Sequence, residues 1–360
     1  MTTDAKGAAE RPSAEMIAKL TEFANKLAWK KPNLDILRPE LSGQYPPLAE
    51  TLQEHIKRSD KRGKLVLPDL RAFNNQTVAV FTDYGGESKD AKYLTYSTLV
   101  CGWNMTAAFH NMMKSVRQKH GLGDKEIAFK DFRMGQLQRS LPGYLAALNS
   151  LPGFLFTLAI DKRLTSLFGP ESKATRELIA KTLQQADLGE RKPEVNEKLL
   201  RIVHIASFLT GLLAHDGQKI FWMTDHDSIS PTREMHEKTL ALFQRILGMY
   251  ARQGHTFPLL GGALPFDDRS LDTLDLLSVT DVVAGSLDQY LTQRDSVAIP
   301  DIQVKAGCDL VLQWLAHDGI GLKKMNVIMR PGSNRTIEAV TLEFELQNAP
   351  QDATVIPVVV

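Results

Sequence analysis

A mixed α/β fold, with one sheet flanked by helices, follows from three features of the chain. Short β-branched and aromatic runs such as Thr77–Asp83, Tyr93–Gly102 and Phe154–Asp161 read as strands. Segments with apolar residues at helical spacing lie between and around them. The two kinds do not alternate strictly, so the sheet is expected to be mixed rather than purely parallel.

Taken in order, residues 1–12 read as a disordered tail that is small, charged and closed by Arg11-Pro12. Ser13 is a helix cap for a segment running to about Trp29, with Ile17, Leu20, Phe23 and Leu27 on one face. A proline-punctuated connector and a short helix carrying Leu48, Leu52 and Ile56 follow. Lys57-Arg58-Ser59-Asp60-Lys61-Arg62-Gly63-Lys64 reads as a basic loop, either a solvated linker or a phosphate-tracking patch. Residues 13–70 are therefore expected to form a helical N-terminal extension.

Thr77–Glu87 is where the pattern changes. Ala79, Phe81 and Asp83 share one face of a strand, and Val78 and Val80 the other; the strand stops at Asp83 and breaks on Gly85-Gly86. Tyr93–Gly102 is expected to return antiparallel to it. Met105, Ala108, Met112 and Val116 mark a helix, and Glu126–Phe132 alternates as a third strand. Pro142 suits the first turn of the next helix. Residues 172–215 read as helical, interrupted at Gly189–Pro193, and Lys219–Asp225 as a buried strand. Ser230 and Pro231 are expected to start a helix to about Gln253. Residues 255–275 read as loop, with Gly261-Gly262-Ala263 a turn. Leu276–Tyr290 reads as a short strand or turn entering a helix that Asp281 opens. A further helix and a hairpin over Lys323–Glu345, turning near Pro331–Asn334, complete the chain, so that 71–295 forms the main domain and 296–360 packs on it.

Composition narrows the function classes. Lys+Arg 43 against Asp+Glu 42 gives no overall charge that draws the chain to nucleic acid or membrane. No apolar run approaches the roughly 18 residues of a membrane span, and the first residues lack a secretory signal's apolar core. Two distant cysteines, Cys101 and Cys308, argue against a disulfide scaffold. Together these make a cytoplasmic protein without membrane contact the expectation. Gly85-Gly86-Glu87-Ser88-Lys89 lacks phosphate-loop spacing. His215-Asp216 and His317-Asp318 share the phrase Leu-Ala-His-Asp-Gly, which reads as a helix stop rather than a metal site.

The carboxylates carry the chemistry. Asp83 ends the first strand, Glu126 lies on the third, and Asp225 and Asp227 follow the Lys219–Asp225 strand. Asp281, Ala284, Gly285 and Asp288 share a helix face whose small residues permit close approach to the sheet. Carboxylates from separate elements can hold one or two Mg²⁺ or Mn²⁺ ions, which activate water and stabilise an in-line phosphodiester displacement.

In this order the motifs resemble the RNase H-like superfamily, and within it the family labelled domain of unknown function 3800. The matching segments are Thr82-Asp83-Tyr84-Gly85-Gly86, Glu126-Ile127-Ala128-Phe129-Lys130, Met223-Thr224-Asp225 and Thr280-Asp281-Val282-Val283-Ala284-Gly285. The likeness covers about residues 75–295. It implies an RNase H-like mixed sheet and a metal-dependent nuclease or related phosphodiester hydrolase acting on nucleic acid. Asp83, Glu126, Asp225 and Asp281 would be the acids, Asp227 a reserve ligand, and Lys130 a charge for the scissile phosphate. Where the family has a second carboxylate after the first aspartate, this chain has Tyr84, with Glu87 in the following turn. That departure implies the alternative of a catalytically degenerate binding or regulatory protein. A hydrolase of a small phosphorylated substrate would use the same ions.

Overall fold

The computed structural model describes residues 12–169, 173–265, 270–296, 302–333, 336–345, 356, 358 and 359. Apart from Pro12, the expected N-terminal tail lies outside them, as does Asn334 of the expected hairpin turn. Two helices come first, α1 (Ala14–Leu27) and α2 (Pro47–Lys61). Ser13 caps α1 as expected, its side chain accepting the Met16 amide. Strands β1 (Thr77–Gly85) and β2 (Tyr93–Gly102) lead to α3 (Ala107–His120) and α4 (Gly135–Leu148), then β3 (Gly153–Asp161). Helices α5 (Lys173–Gln185) and α6 (Pro193–Leu213) precede β4 (Lys219–Thr224), α7 (Arg233–Tyr250) and β5 (Leu260–Ala263). The long α8 (Leu271–Arg294), α9 (Cys308–Leu315), β6 (Leu322–Pro331) and β7 (Ile337–Thr341) follow.

The strands form one seven-stranded sheet in the order β5-β4-β1-β2-β3-β6-β7. β1, β2 and β3 are a consecutive antiparallel meander, β4 joins β1 in parallel, and β5 joins β4 in parallel. On the far side β6 runs parallel to β3, and β7 is antiparallel to β6. The C-terminal hairpin thus extends the main sheet itself instead of packing beside it. β1, β3, β4, β5 and β6 all run the same way, so their C-terminal ends open on one edge, where sites in such sheets collect.

The alternation read in β1 sets the two layers. Val78 and Val80 join Trp222, Phe156 and Val327 in a core covered by α2, α6 and α7. Ala79 and Phe81 join Leu99, Leu155 and Met223 in a second core under α3, α4, α8 and α9. Because α2 shares the first core, it belongs to the same packed body as the sheet.

Several expected elements differ. Glu126–Phe132 is not a strand: an extended stretch leads into a 3₁₀ turn at Phe129–Asp131. Ile127 and Phe132 are buried in the helical layer, so their alternation serves packing on helices and not strand pairing. Pro142 lies inside α4, and α7 starts at Arg233 behind a Thr232 cap. Asp281 does not open a helix. It sits mid-way along α8, whose cap is Ser270. Gly261-Gly262-Ala263 is strand β5, where a Cβ on Gly262 would come within 2.6 Å of the Trp222 carbonyl oxygen. The basic loop is largely the last turn of α2, docked on β7 by His55, which lies 3.3 Å from the Ala339 carbonyl. Among the described residues, no helix is long and apolar enough to cross a membrane.

Candidate active site

Asp83 lies near the C-terminal end of β1 on the α8 side of the sheet, and only 7% of it is exposed. The parallel ladder between β1 and β4 runs one residue past Thr224, since the Asp225 amide donates to the Thr82 carbonyl at 3.1 Å. That bond holds Asp225 against the end of β1. From the covering layer α8 brings Asp281. The helix lies close to the sheet here: Thr95 Oγ1 donates to the Ala284 carbonyl at 3.1 Å. Gly285 serves a different neighbour, because a Cβ there would fall 2.3 Å from the Phe129 ring. Phe129 in turn donates its amide to Asp281 Oδ2 at 2.7 Å. The small residues of the Asp281 face therefore seat both the sheet and the 126–131 segment.

Asp83, Asp225 and Asp281 face one another electrostatically. Burial holds Asp83 well above its ordinary value, and Asp225 and Asp281 push it further against the opposing Tyr84 amide. Burial also raises Asp225, with Asp227 adding to it. Asp281 is pushed up to about 6, first by burial and then by Asp225 and Glu126, against the Phe129 amide and Lys130. Each carboxylate resists ionising beside the others, although Lys198 and His226 pull Asp225 the other way.

Glu126 and Lys130 are both exposed at the rim, near enough for their charges to act on Asp281. Lys305, a residue the sequence did not flag, covers this segment: its Nζ donates to the Phe129 carbonyl at 3.1 Å and stands 4.4 Å from that ring's centroid. Asp288, about two turns beyond Asp281, is engaged on its own helix, accepting from Thr292 at 3.4 Å.

Asp227 is committed elsewhere. Its Oδ1 accepts the Ile229 amide at 2.8 Å and its Oδ2 accepts Ser228 Oγ at 3.2 Å and the Lys198 ammonium. Burial would raise it, but the Ile229 amide, Lys198 and Tyr84 together hold it below its ordinary value. Lys198 comes from α6, on the opposite face of the sheet, and also donates to Glu87. Nothing in the sequence marked Lys198, whose partners are 29 and 111 residues away.

The other residues considered from sequence are structural. His215 stacks on Trp29 at 4.4 Å and lies 3.1 Å from Asp69. Burial pushes the thiols of Cys101 and Cys308 up, away from nucleophilic use. The basic segment at the end of α2 docks on β7, four strands from β1, roughly 19 Å across the sheet at about 4.8 Å per strand.

Asp83, Asp225 and Asp281 are hard oxygen donors of the kind Mg²⁺ and Mn²⁺ take. Their mutual repulsion fits a bound cation. Among the described residues, however, no group of three or more His, Cys, Asp or Glu side chains is placed so that it could hold a metal ion. No family model matches the chain, and no curated protein matches it.

Proposed function

We propose that this chain is an RNase H-like phosphodiester hydrolase, a nuclease dependent on Mg²⁺ or Mn²⁺. The observation that carries the reading is the convergence of Asp83, Asp225 and Asp281 at one sheet edge, the first buried and the other two half-buried, with no basic side chain bonded to any of the three among the described residues. These three would hold the ion. When bound, it would polarise the phosphoryl oxygen and acidify a water. The protein's own groups do the rest. The Phe129 amide fixes the Asp281 carboxylate, and the β1–β4 ladder fixes Asp225 against Asp83. Lys130, exposed at the rim, offers its ammonium to a backbone phosphate, and Glu126 beside it faces solvent where an attacking water enters.

The test is cleavage of labelled single- and double-stranded DNA and RNA with each metal. Wild type should cut at least one polymer, and Asp83→Asn and Asp225→Asn should each lose at least about a hundredfold in rate, the scale of several kcal/mol of transition-state stabilisation. Undiminished cleavage by either variant would overturn the assignment.

A second reading, a catalytically degenerate binding or regulatory protein, is favoured by Tyr84 at the second acid's place with the Lys198 ammonium 3.7 Å above its ring centroid. Retained binding of a nucleic acid that no metal condition cleaves would select it.

A further inference from the structure

The basic segment that closes α2 lies too far from the candidate acids to serve them, yet it builds a cavity of its own. His55, Arg58, Ser59 and Arg62 recur at i, i+3, i+4 and i+7, so they share one helix face. Between that face and the end of β7 runs an open cavity of about 540 Å³. Arg58, Arg62 and Lys64 line it from the α2 end, and Thr341 and Glu343 from the β7 end. His55 fixes the two elements together. It is 3% exposed, with Nδ1 3.3 Å from the Ala339 carbonyl oxygen and Nε2 3.1 Å from Thr341 Oγ1. A carbonyl only accepts, so Nδ1 carries the proton and Nε2 accepts the Thr341 hydroxyl. Burial holds this ring below its ordinary value, and Arg58 and Arg62 push it further against the Ala339 carbonyl. His55 is therefore a neutral brace, and the charge in the cavity belongs to the other three bases. Lys64 spends its ammonium on both oxygens of Glu343, at 2.7 and 2.9 Å. Lys57, earlier on the helix, pairs with Asp35. Arg58 and Arg62 are exposed and have no side-chain hydrogen bond or ion pair among the described residues. The helix dipole favours bases in a last turn. It does not account for their facing a cavity, since Lys61 shares that turn and does not line it.

We propose that the cavity between α2 and β7 binds a small phosphate monoester, its phosphate held between the guanidinium groups of Arg58 and Arg62. Charge selects the monoester. Near neutral pH it carries close to two negative charges on one group, matching two uncompensated guanidinium groups one helical turn apart, whereas a diester carries one. The cavity volume falls in the range that takes a small organic molecule, which leaves room for the group the phosphate is attached to. This is a second site. α2 covers the face of the sheet opposite α8, and the hydrolase reading is not needed for it.

Calorimetry on the full chain, freed of divalent ions on a chelating resin, tests this without reference to catalysis. The probes are phenyl phosphate, inorganic phosphate, dimethyl phosphate and a short single-stranded oligonucleotide. Phenyl phosphate should bind with a dissociation constant below about 1 mM, inorganic phosphate more weakly, and dimethyl phosphate at least about tenfold more weakly. Arg58→Gln and Arg62→Gln should each weaken phenyl phosphate by about tenfold or more, the scale of one charge-assisted hydrogen bond. Both side chains are exposed, so the variants should melt with wild type in phosphate-free buffer. Lys61→Gln removes the same charge from the same turn and should change the affinity by less than about twofold. No binding by wild type at about 10 mM phenyl phosphate would overturn the proposal. So would undiminished binding in either arginine variant, or an equal loss in Lys61→Gln, which would reduce the effect to general surface charge. Inorganic phosphate binding as tightly as the ester would make free phosphate the ligand, and tighter binding of the oligonucleotide would make the cavity a backbone contact; either defeats the monoester assignment. None of these outcomes involves Asp83, Asp225 or Asp281, so this proposal and the hydrolase reading stand or fall separately.

Discussion

Asp275 and Asp281 lie six residues apart on α8, the first buried and the second half-buried, and their surroundings are opposite. Asp275 is 3% exposed and fully engaged. Arg117 Nε donates to its Oδ2 at 2.9 Å, a second guanidinium nitrogen donates to Oδ1, and Tyr144 donates to its backbone carbonyl at 2.7 Å. Asp281 has one backbone amide and faces other acids. What separates the two carboxylates is therefore compensation more than burial. The first region also builds the second. Arg117 Nη1 donates to the carbonyls of Gly123 and Lys125 at 2.8 and 2.9 Å, anchoring the segment that delivers Phe129 to Asp281.

The largest expected effect tests the engaged half. Asp275→Ala leaves the Arg117 guanidinium buried without its carboxylate, and breaking such a pair costs about 3–5 kcal/mol. Urea denaturation should show that loss. A cost below about 1 kcal/mol would mean that Arg117 finds solvent or another acceptor, and the contrast with Asp281 would collapse.

Asp281→Asn should act in the opposite direction. Asparagine still accepts the Phe129 amide through its side-chain oxygen but removes one of three repelling charges. In chelator-treated protein at pH 7.5 the variant should be more stable by about 1–3 kcal/mol, following a displacement of roughly two pH units at about 1.4 kcal/mol each. The pH dependence has a definite sign. With a folded value of about 6 against an ordinary 3.8, the native state holds the proton more tightly than the unfolded chain. This contribution is fully present below about pH 4 and is lost as pH rises through about 6. Wild type should show that falling limb in metal-free melts, and Asp281→Asn should flatten it. A destabilised variant would place Asp281 with Asp275 among the structural acids.

How much of this was legible in the sequence follows from the range of the interactions. The faces of β1 and the position of Asp83 were readable because strand alternation is local and its two sides bury different cores. Asp225 was readable because a buried apolar strand ends beside it. The local setting of Asp281 misleads: Thr280-Asp281 looks like a helix start, while Ser270, ten residues before Thr280, supplies the cap. Glu126–Phe132 has strand-like alternation, but Ile127 and Phe132 bury against helices, a choice set by tertiary packing. Lys198 and Arg117 were invisible because each gains meaning from acids far away in the chain, Asp227 and Glu87 for one and Asp275 for the other.

The smallest effect concerns Glu126, which the motif names as a ligand and the fold leaves exposed. Its charge nevertheless contributes to raising Asp281. If it acts only through that charge, Glu126→Gln should lower the Asp281 midpoint by a few tenths of a pH unit, the scale of a solvent-screened pair. Carboxyl-carbon NMR titration of metal-free protein would read this directly. Mn²⁺ affinity should then change by less than about twofold, with the loss of a coulombic neighbour partly offset by a more readily ionised Asp281. A tenfold loss of affinity would show instead that the 126–131 segment moves inward on metal binding and makes Glu126 a ligand. In that case Asp281, held through the Phe129 amide of the same segment, would be the hinge of that movement and not a fixed ligand.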